Sequence, residues 1–421
     1  METKSGLTQS GYWELIRNNA NVRRLWFGVV ISLFGDWFNT LAIYRIVQDE
    51  SGSPFALAIA FLTKLLPLAL ASPIAGVLVD RWDRRKVMIW ADLVRAVLVL
   101  GFLLVRDSGD LWLLYTLASA QIVVSSVFVP AKTASLPNIT TPRELLTANA
   151  FLSATWSVML AVGAAAGGFA VDAFGTDVVF VLDSITYLIS AFFIARMVIP
   201  QEKDEAPKDV TVMRAALKQI TDGWHYLREN PPVMRMTWAK AAWGFGGGAL
   251  VLFLALLGDT LFEGAHTTGI GILFAARGLG TGIGPVVARS LFPNERPWPL
   301  LLGLCIGITG LGYVVLSFVW WPMLIIVLVI IAHASSGANW VLSTTLLQQR
   351  SEDRFRGRVF ATDWFFVTMI QSGSIVAGAL LLEAGVALRA VIVIFGALQI
   401  VTGLLWTVLV VPVERGRDTA G

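Results

Sequence analysis

LWFGVVISLFGDWFNTLAIYRIV, residues 25 to 47, is an apolar run with one carboxylate, Asp36, near its middle. A helix rises 1.5 Å per residue, so about 20 apolar residues cross the roughly 30 Å of hydrocarbon in a bilayer. The run therefore reads as a membrane-spanning helix. A charge near the bilayer centre costs at least about 3 kcal/mol on insertion scales, so Asp36 needs a partner, water, a proton or a task.

The rest of the chain has the same character. Of 421 residues 56% are hydrophobic and 14% charged, and the mean hydropathy is +0.70, which excludes a soluble domain with a wet surface. Thirty-eight glycines and sixteen tryptophans suit close helix packing and the membrane interface. The single cysteine, Cys305, excludes a disulfide framework and a cysteine metal site. A net charge of +3 gives no nucleic-acid surface. The first 24 residues hold no short apolar core followed by a cleavage site, so the first span is expected to serve as its own insertion signal.

Twelve spans can be marked, near 25–47, 54–79, 87–105, 111–135, 146–171, 177–199, 233–258, 267–291, 299–319, 322–347, 358–382 and 386–411. Alternate connections are basic, among them DRWDRRK at 80–86 and QQRSEDRFRGR at 348–358, whereas QDESGSP at 48–54 and GDTLFEGAH at 258–266 are acidic or neutral. The positive-inside rule places both termini in the cytoplasm. The expected organisation is an N-terminal segment 1–24, a six-helix bundle 25–199, a cytoplasmic linker 200–231, a second bundle 232–411 and a tail 412–421. Within the linker Met213, Leu217, Ile220, Trp224 and Leu227 fall at three-and-four spacing, which predicts an amphipathic helix on the cytoplasmic membrane surface.

The halves echo one another. GVLVDR at 76–81 matches GPVVAR at 284–289, and GGFAVDAFG ending at 175 matches GALLLEAG ending at 385. Two similar six-span halves are the organisation of a secondary transporter with its site between them.

At GVLVDRWDRRKV, residues 76–87, the chain resembles the signature between the second and third spans of the major facilitator superfamily, through Gly76, Asp80, Arg81, Arg84 and Arg85, with Asp83 where the usual pattern has Gly. Gly76 allows close helix contact, Asp80 can accept N–H groups at a facing helix N-terminus, and the arginines can bind carboxylates or lipid phosphates. Such contacts would latch the cytoplasmic side in an outward-facing state. GAAAGG at 163–168, with Gly163, Gly167 and Gly168, looks like the glycine-rich fifth-span motif of the family's exporters, with Ala164 where proline is common. The fourth-span motif, an arginine three residues before Gln, is not met, because Ala118 precedes Gln121. NNANVRRLW, LFGDWFNT, VPAKTASLP with LTANAF, and RFRGRVFA look like the bacterial branch of enterobactin exporters, macrolide efflux proteins and lysophospholipid transporters. The resemblance implies an all-α, twelve-helix, multi-pass protein of the bacterial plasma or inner membrane, monomeric, working with protons and membrane lipids. It implies proton-coupled export of a hydrophobic or amphipathic small molecule, drug-like or siderophore. A lysophospholipid flippase and, in another class, a non-transporting receptor or scaffold are the alternatives.

Few intramembrane polar residues are candidates for the chemistry. Asp36 lies about 12 residues, hence about 18 Å, from the cytoplasmic end of its span. Its counterpart in the second half, aligning FGD with FGG, is Gly247. It can carry a proton or bind a cationic substrate, or it can pair structurally with Lys64, which comes out at comparable depth. Arg277 suits an anionic headgroup or carboxylate, or contacts to backbone carbonyls. His333 is a protonatable group or a hydrogen-bonded packing residue. Asp183 is expected near the outer interface, Lys240 and Asp363 near cytoplasmic helix ends, and Asp92 with Arg95 as an i,i+3 pair. The sequence has no GxxxxGK[ST], HExxH or GxSxG motif and no clustered metal ligands, so it offers no nucleotide, metal or catalytic site and no cofactor.

Overall fold

The computed structural model describes residues 11–201, 212–352 and 355–418, apart from the side chains of Val77, Asp80, Gln219, Arg417 and Asp418 and those of residues 212–216. Within that description the chain is helical: α1 Tyr12–Asn18, α2 Ala20–Ser51, α3 Pro54–Arg81, α4 Arg84–Gly101, α5 Leu111–Ile139, α6 Pro142–Ala195, α7 Val212–Glu229, α8 Pro231–Asp259, α9 His266–Leu291, α10 Trp298–Leu316, α11 Pro322–Arg350, α12 Arg356–Glu383, α13 Leu388–Leu409 and α14 Val411–Asp418. The starts follow from sequence. Asn19 caps α2 by accepting from the Val22 N–H at 3.0 Å; Ser53 caps α3 just before Pro54; Asp83 caps α4 through the Lys86 N–H at 2.9 Å. The Asp in place of the signature's usual Gly is thus a helix cap.

Eleven of the described helices are long and apolar enough to cross a membrane. α6 has 54 residues, far more than one crossing needs, and Gly175 interrupts it at φ 80°, ψ 167°. The connection expected between spans 146–171 and 177–199 is therefore a break at one glycine, and α6 supplies two spans, giving the twelve-helix architecture.

α2 packs along α6, α10 along α13 and α11, and α3 and α4 along α5. The two sets of six meet where α6 crosses α9 and α3 crosses α12. At Gly168 a Cβ would come within 2.4 Å of the Thr267 carbonyl on α9, so only glycine lets the backbones approach there. The amphipathic helix is present as α7, with Trp224 and Leu227 of its apolar stripe packed on protein and Leu217 exposed. Trp224 stacks on Phe366 at 4.8 Å, and Leu227 is buried in a cluster with Val233 and Met236. Met213 lies outside the described side chains. In the expected tail, α14 buries Glu414 between Arg235 at 2.5 Å and Arg350 at 2.7 Å.

Candidate functional site

A cavity of about 440 Å³ lies between the two sets of helices. α2 contributes Asp36, Trp37 and Tyr44; α3 Phe61 and Lys64; α5 Lys132; α9 Phe274 and Arg277. Trp243, Gly247 and Gln371 complete the wall from α8 and α12. The wall reaches Val29 on α2 and Lys132 on α5, so the cavity runs toward the end that carries the chain termini. At its other end Tyr44 stacks on Phe61 at 4.5 Å, with Phe274 6.3 Å and 6.5 Å from them. That aromatic cluster is its floor.

Behind the Asp36 wall is a polar network. The Tyr187 hydroxyl donates to Asp36 Oδ1, and Gln121 Nε2 donates to Tyr187 Oη at 2.8 Å. Asn39 Nδ2 donates to Gln121 Oε1 at 3.3 Å and to Asp183 Oδ2 at 2.9 Å. Asp92 and Arg95 form the expected i,i+3 pair, and the Arg95 guanidinium stands 4.4 Å from the Tyr187 ring and 4.6 Å from that of Phe128. Hydrogen bonds of this kind satisfy buried polar groups that would otherwise cost about 1 to 3 kcal/mol each. A Cβ on Gly35 would fall 2.3 Å from Asp183 Oδ1, so the glycine of FGD makes room for this second carboxylate.

Asp36, Lys64 and Arg277 reach one cavity from three helices. Lys64 lies in the field of Asp36 and Asp183 without an ion pair to either. Asp183 is not interfacial: α6 turns it inward onto α2, where Asn39 takes it, and it is fully buried. His333 is buried behind the wall with Nε2 2.8 Å from Tyr313 Oη and Nδ1 without a partner. Lys240 and Asp363 do not lie at helix ends but form a buried ion pair at 2.6 Å, because Lys240 faces α12 nine residues into α8. The Lys240 ammonium also stands 5.3 Å from the Trp340 ring.

Of the signature, a Cβ on Gly76 would meet nothing within 4 Å, so the expected close helix contact is not made there, and the Asp80 side chain lies outside the described residues. Arg84 donates to the Ala134 carbonyl and to Asn138 Oδ1, each at 2.8 Å, and Arg85 to the carbonyl of Ala195, the last residue of α6. Arg84 and Arg85 thus hold oxygens of their own six-span set, as suits cations at helix C-termini. Gly163 and Gly167 pack against Trp37 and Phe38 of α2, whereas Gly168 packs against α9.

The closed end has its own contacts. Asp172 accepts from the Thr267 and Thr268 N–H groups, at 3.2 Å and 2.6 Å, in the first turn of α9. Glu383 accepts from the Ser53 hydroxyl and from the Phe55 N–H at 3.2 Å, at the start of α3. Sequence reasoning did not single out Tyr187, Asn39, Lys132, Asp172 or Glu383. For the last two a signal existed, since each is the one carboxylate in its segment, within three residues of the closing glycine of GGFAVDAFG or GALLLEAG.

The family model described as Major Facilitator Superfamily matches residues 25–378. An uncharacterized MFS-type transporter of Bacillus subtilis, YfiS, is 28% identical over 93% of each chain. The putative bacilysin exporter BacE of Bacillus subtilis is 24% identical over 81% of this chain and 84% of its own. Macrolide efflux protein A of Streptococcus pyogenes is 23% identical over 80% and 83%. Among solved structures, an inward-facing, unoccupied bacterial homolog of the human lysosomal transporter Spinster superposes with a TM-score of 0.70 at 14% identity, over 96% of this chain and 98% of that one. The POT family transporter PepTSo gives 0.73 at 10% identity, over 95% and 99%. The Spinster and PepTSo likenesses speak for the fold; the family match, the relatives and the twelve spans establish a multi-pass transporter of the bacterial cell membrane rather than an enzyme, and the chain belongs to the Major Facilitator Superfamily.

Proposed function

We propose that this transporter exports an amphipathic small molecule from the cytoplasm by alternating access, coupled to protons through Asp36. The carrying observation is the place of Asp36: it lines the cavity, it has no ion pair to Lys64, and its carboxylate is held by Tyr187 in a network that ends at Asp183. A carboxylate fixed by a neutral hydroxyl keeps the freedom to gain and lose a proton, which a tight ion pair would remove. With the termini in the cytoplasm, the cavity is open to the cytoplasm, and bundles 25–199 and 232–411 rock about it. The efflux names of BacE and macrolide efflux protein A support the direction of transport.

Proteoliposomes with a substrate panel, with and without an imposed proton gradient, test this. Wild-type protein is expected to accumulate substrate against its gradient only when protons flow the other way. Asp36→Asn is expected to lose that dependence and to retain downhill exchange. Should a well-folded Asp36→Asn protein transport with unchanged pH dependence, Asp36 is not the coupling group.

A further inference from the structure

We infer that the cavity takes an anionic amphiphile, a carboxylate or phosphate on an apolar or aromatic body, and that Arg277 and Lys64 bind its anion. The inference rests on reading the cavity as the substrate site. Its charged wall residues are Lys64, Arg95, Lys132 and Arg277 against the single carboxylate Asp36. Arg95 is matched by Asp92 on its own helix. Lys64, Lys132 and Arg277 have no ion-pair partner among the described residues, and Arg277 Nε is buried without an acceptor. One carboxylate, already bonded by Tyr187, faces three unmatched cations.

Each Lys or Arg at mid-membrane costs about 2.5 to 3.5 kcal/mol on insertion scales, and such residues mark pathways for what they bind. The rest of the wall is apolar or aromatic, with Trp37, Phe61, Trp243, Val251, Phe274 and Ile375. A volume of 440 Å³ falls in the range of small-molecule sites. Arg277 comes from α9 beside the Phe274 ring, 5.8 Å from its centroid, at the closed end of the cavity. Lys64 comes from α3 of the other six-helix set, so the two cations line the cavity from both sets of helices. Lys132, nearer the mouth, adds to a field of one sign in a low-dielectric cleft, which draws anions in. A cationic drug would meet three like charges there and one occupied carboxylate.

Equilibrium binding to the purified full chain in nanodiscs, free of any gradient, tests the inference apart from proton coupling. The probes are 4-phenylbutyrate, its neutral amide and 4-phenylbutyltrimethylammonium, read by tryptophan fluorescence. The carboxylate is expected to bind saturably and about tenfold or more tighter than the amide, the lower end of what a close charge pair contributes. Arg277→Gln and Lys64→Gln should each reduce that preference, and Arg277→Lys should restore most of it, with thermal melting confirming that each variant is folded. Competition by lysophosphatidylglycerol well below the phenylbutyrate concentration would identify a lipid headgroup as the source of the anion; no competition would identify a free acid. The inference is overturned if the amide or the ammonium binds as tightly as the carboxylate, if no saturable carboxylate binding occurs, or if folded Arg277→Gln and Lys64→Gln proteins both keep the preference. If the anion preference holds while transport ignores the proton gradient, only the coupling reading fails.

Discussion

The two six-helix halves place their buried charges differently. In the first half Asp36 stands on the cavity wall, and its partners Tyr187, Gln121, Asn39 and Asp183 run back between α2, α5 and α6 by neutral hydrogen bonds. In the second half the buried Asp363 carboxylate is neutralised by Lys240 at 2.6 Å away from the cavity, as Asp92 is by Arg95 in the first half, and no second-half carboxylate stands on the cavity wall. The internal repeat sharpens this contrast. Gly247, the counterpart of Asp36, lines the same cavity, but a Cβ on it would come within 2.7 Å of the Trp243 ring. The repeat therefore supplies two walls of one shape, and the titratable side chain was fitted only where the neighbouring helix could hold it. A charge that is paired belongs to stability, whereas one held by neutral groups remains available for chemistry.

The largest expected effect breaks the second-half pair. Lys240→Ala leaves the Asp363 carboxylate buried and alone, and removing one partner of a buried ion pair costs about 3 to 5 kcal/mol. Thermal melting in detergent should show it, and the double replacement Lys240→Met with Asp363→Leu should recover most of the loss. If Lys240→Ala melts like wild type, the pair is not structural and the contrast between the halves fails. Asp36→Ala should cost less, because its wall is open to the cavity.

Second in size is Tyr187→Phe. It removes the donor to Asp36 and the acceptor of Gln121 together, so about 1 to 3 kcal/mol of stability is expected to go with two unsatisfied partners. Transport should lose its normal pH dependence more than its downhill rate. A variant with altered melting and an unchanged pH profile would make Tyr187 a packing residue only.

Much of this was legible in the sequence, for identifiable reasons. Apolar runs of membrane length give the spans directly, because a bilayer demands satisfied backbone over a fixed thickness. Asp36 stood out because a carboxylate in the middle of such a run has no local excuse. Asp183 was misjudged because distance along a helix gives depth but not facing, and α6 turns it onto Asn39 rather than outward. Lys240 and Asp363 were misjudged for the same reason, since their partnership exists only between helices 123 residues apart. Tyr187 and Asn39 gave no signal, because a tyrosine or asparagine in an apolar run does not reveal which neighbour it bonds.

The smallest effect concerns the closed end, where the halves agree. Asp172 lies three residues before Gly175 and Glu383 two before Gly385, both glycines of positive φ, at 80° and 85°. Each accepts from the first turn of a helix in the opposite half, α9 for Asp172 and α3 for Glu383. A carboxylate there satisfies N–H groups that have no partner within their helix and meets the positive end of the helix dipole. Asp172→Asn keeps one of two acceptors and removes the charge, so it should weaken the contact by about 1 kcal/mol, roughly a fivefold shift toward opening at that end. Cysteine probes placed near Gly175 and Thr268 should become more reactive, or their cross-linking slower. Glu383→Gln should act in the same direction but more weakly, since Glu383 meets one N–H group where Asp172 meets two. The pair of variants should shift accessibility further than either alone. If Asp172→Asn leaves accessibility unchanged while Gly168→Leu, which forces α6 and α9 apart, raises it, backbone packing rather than charge holds that end shut, and the symmetry of the two carboxylates carries no gating role.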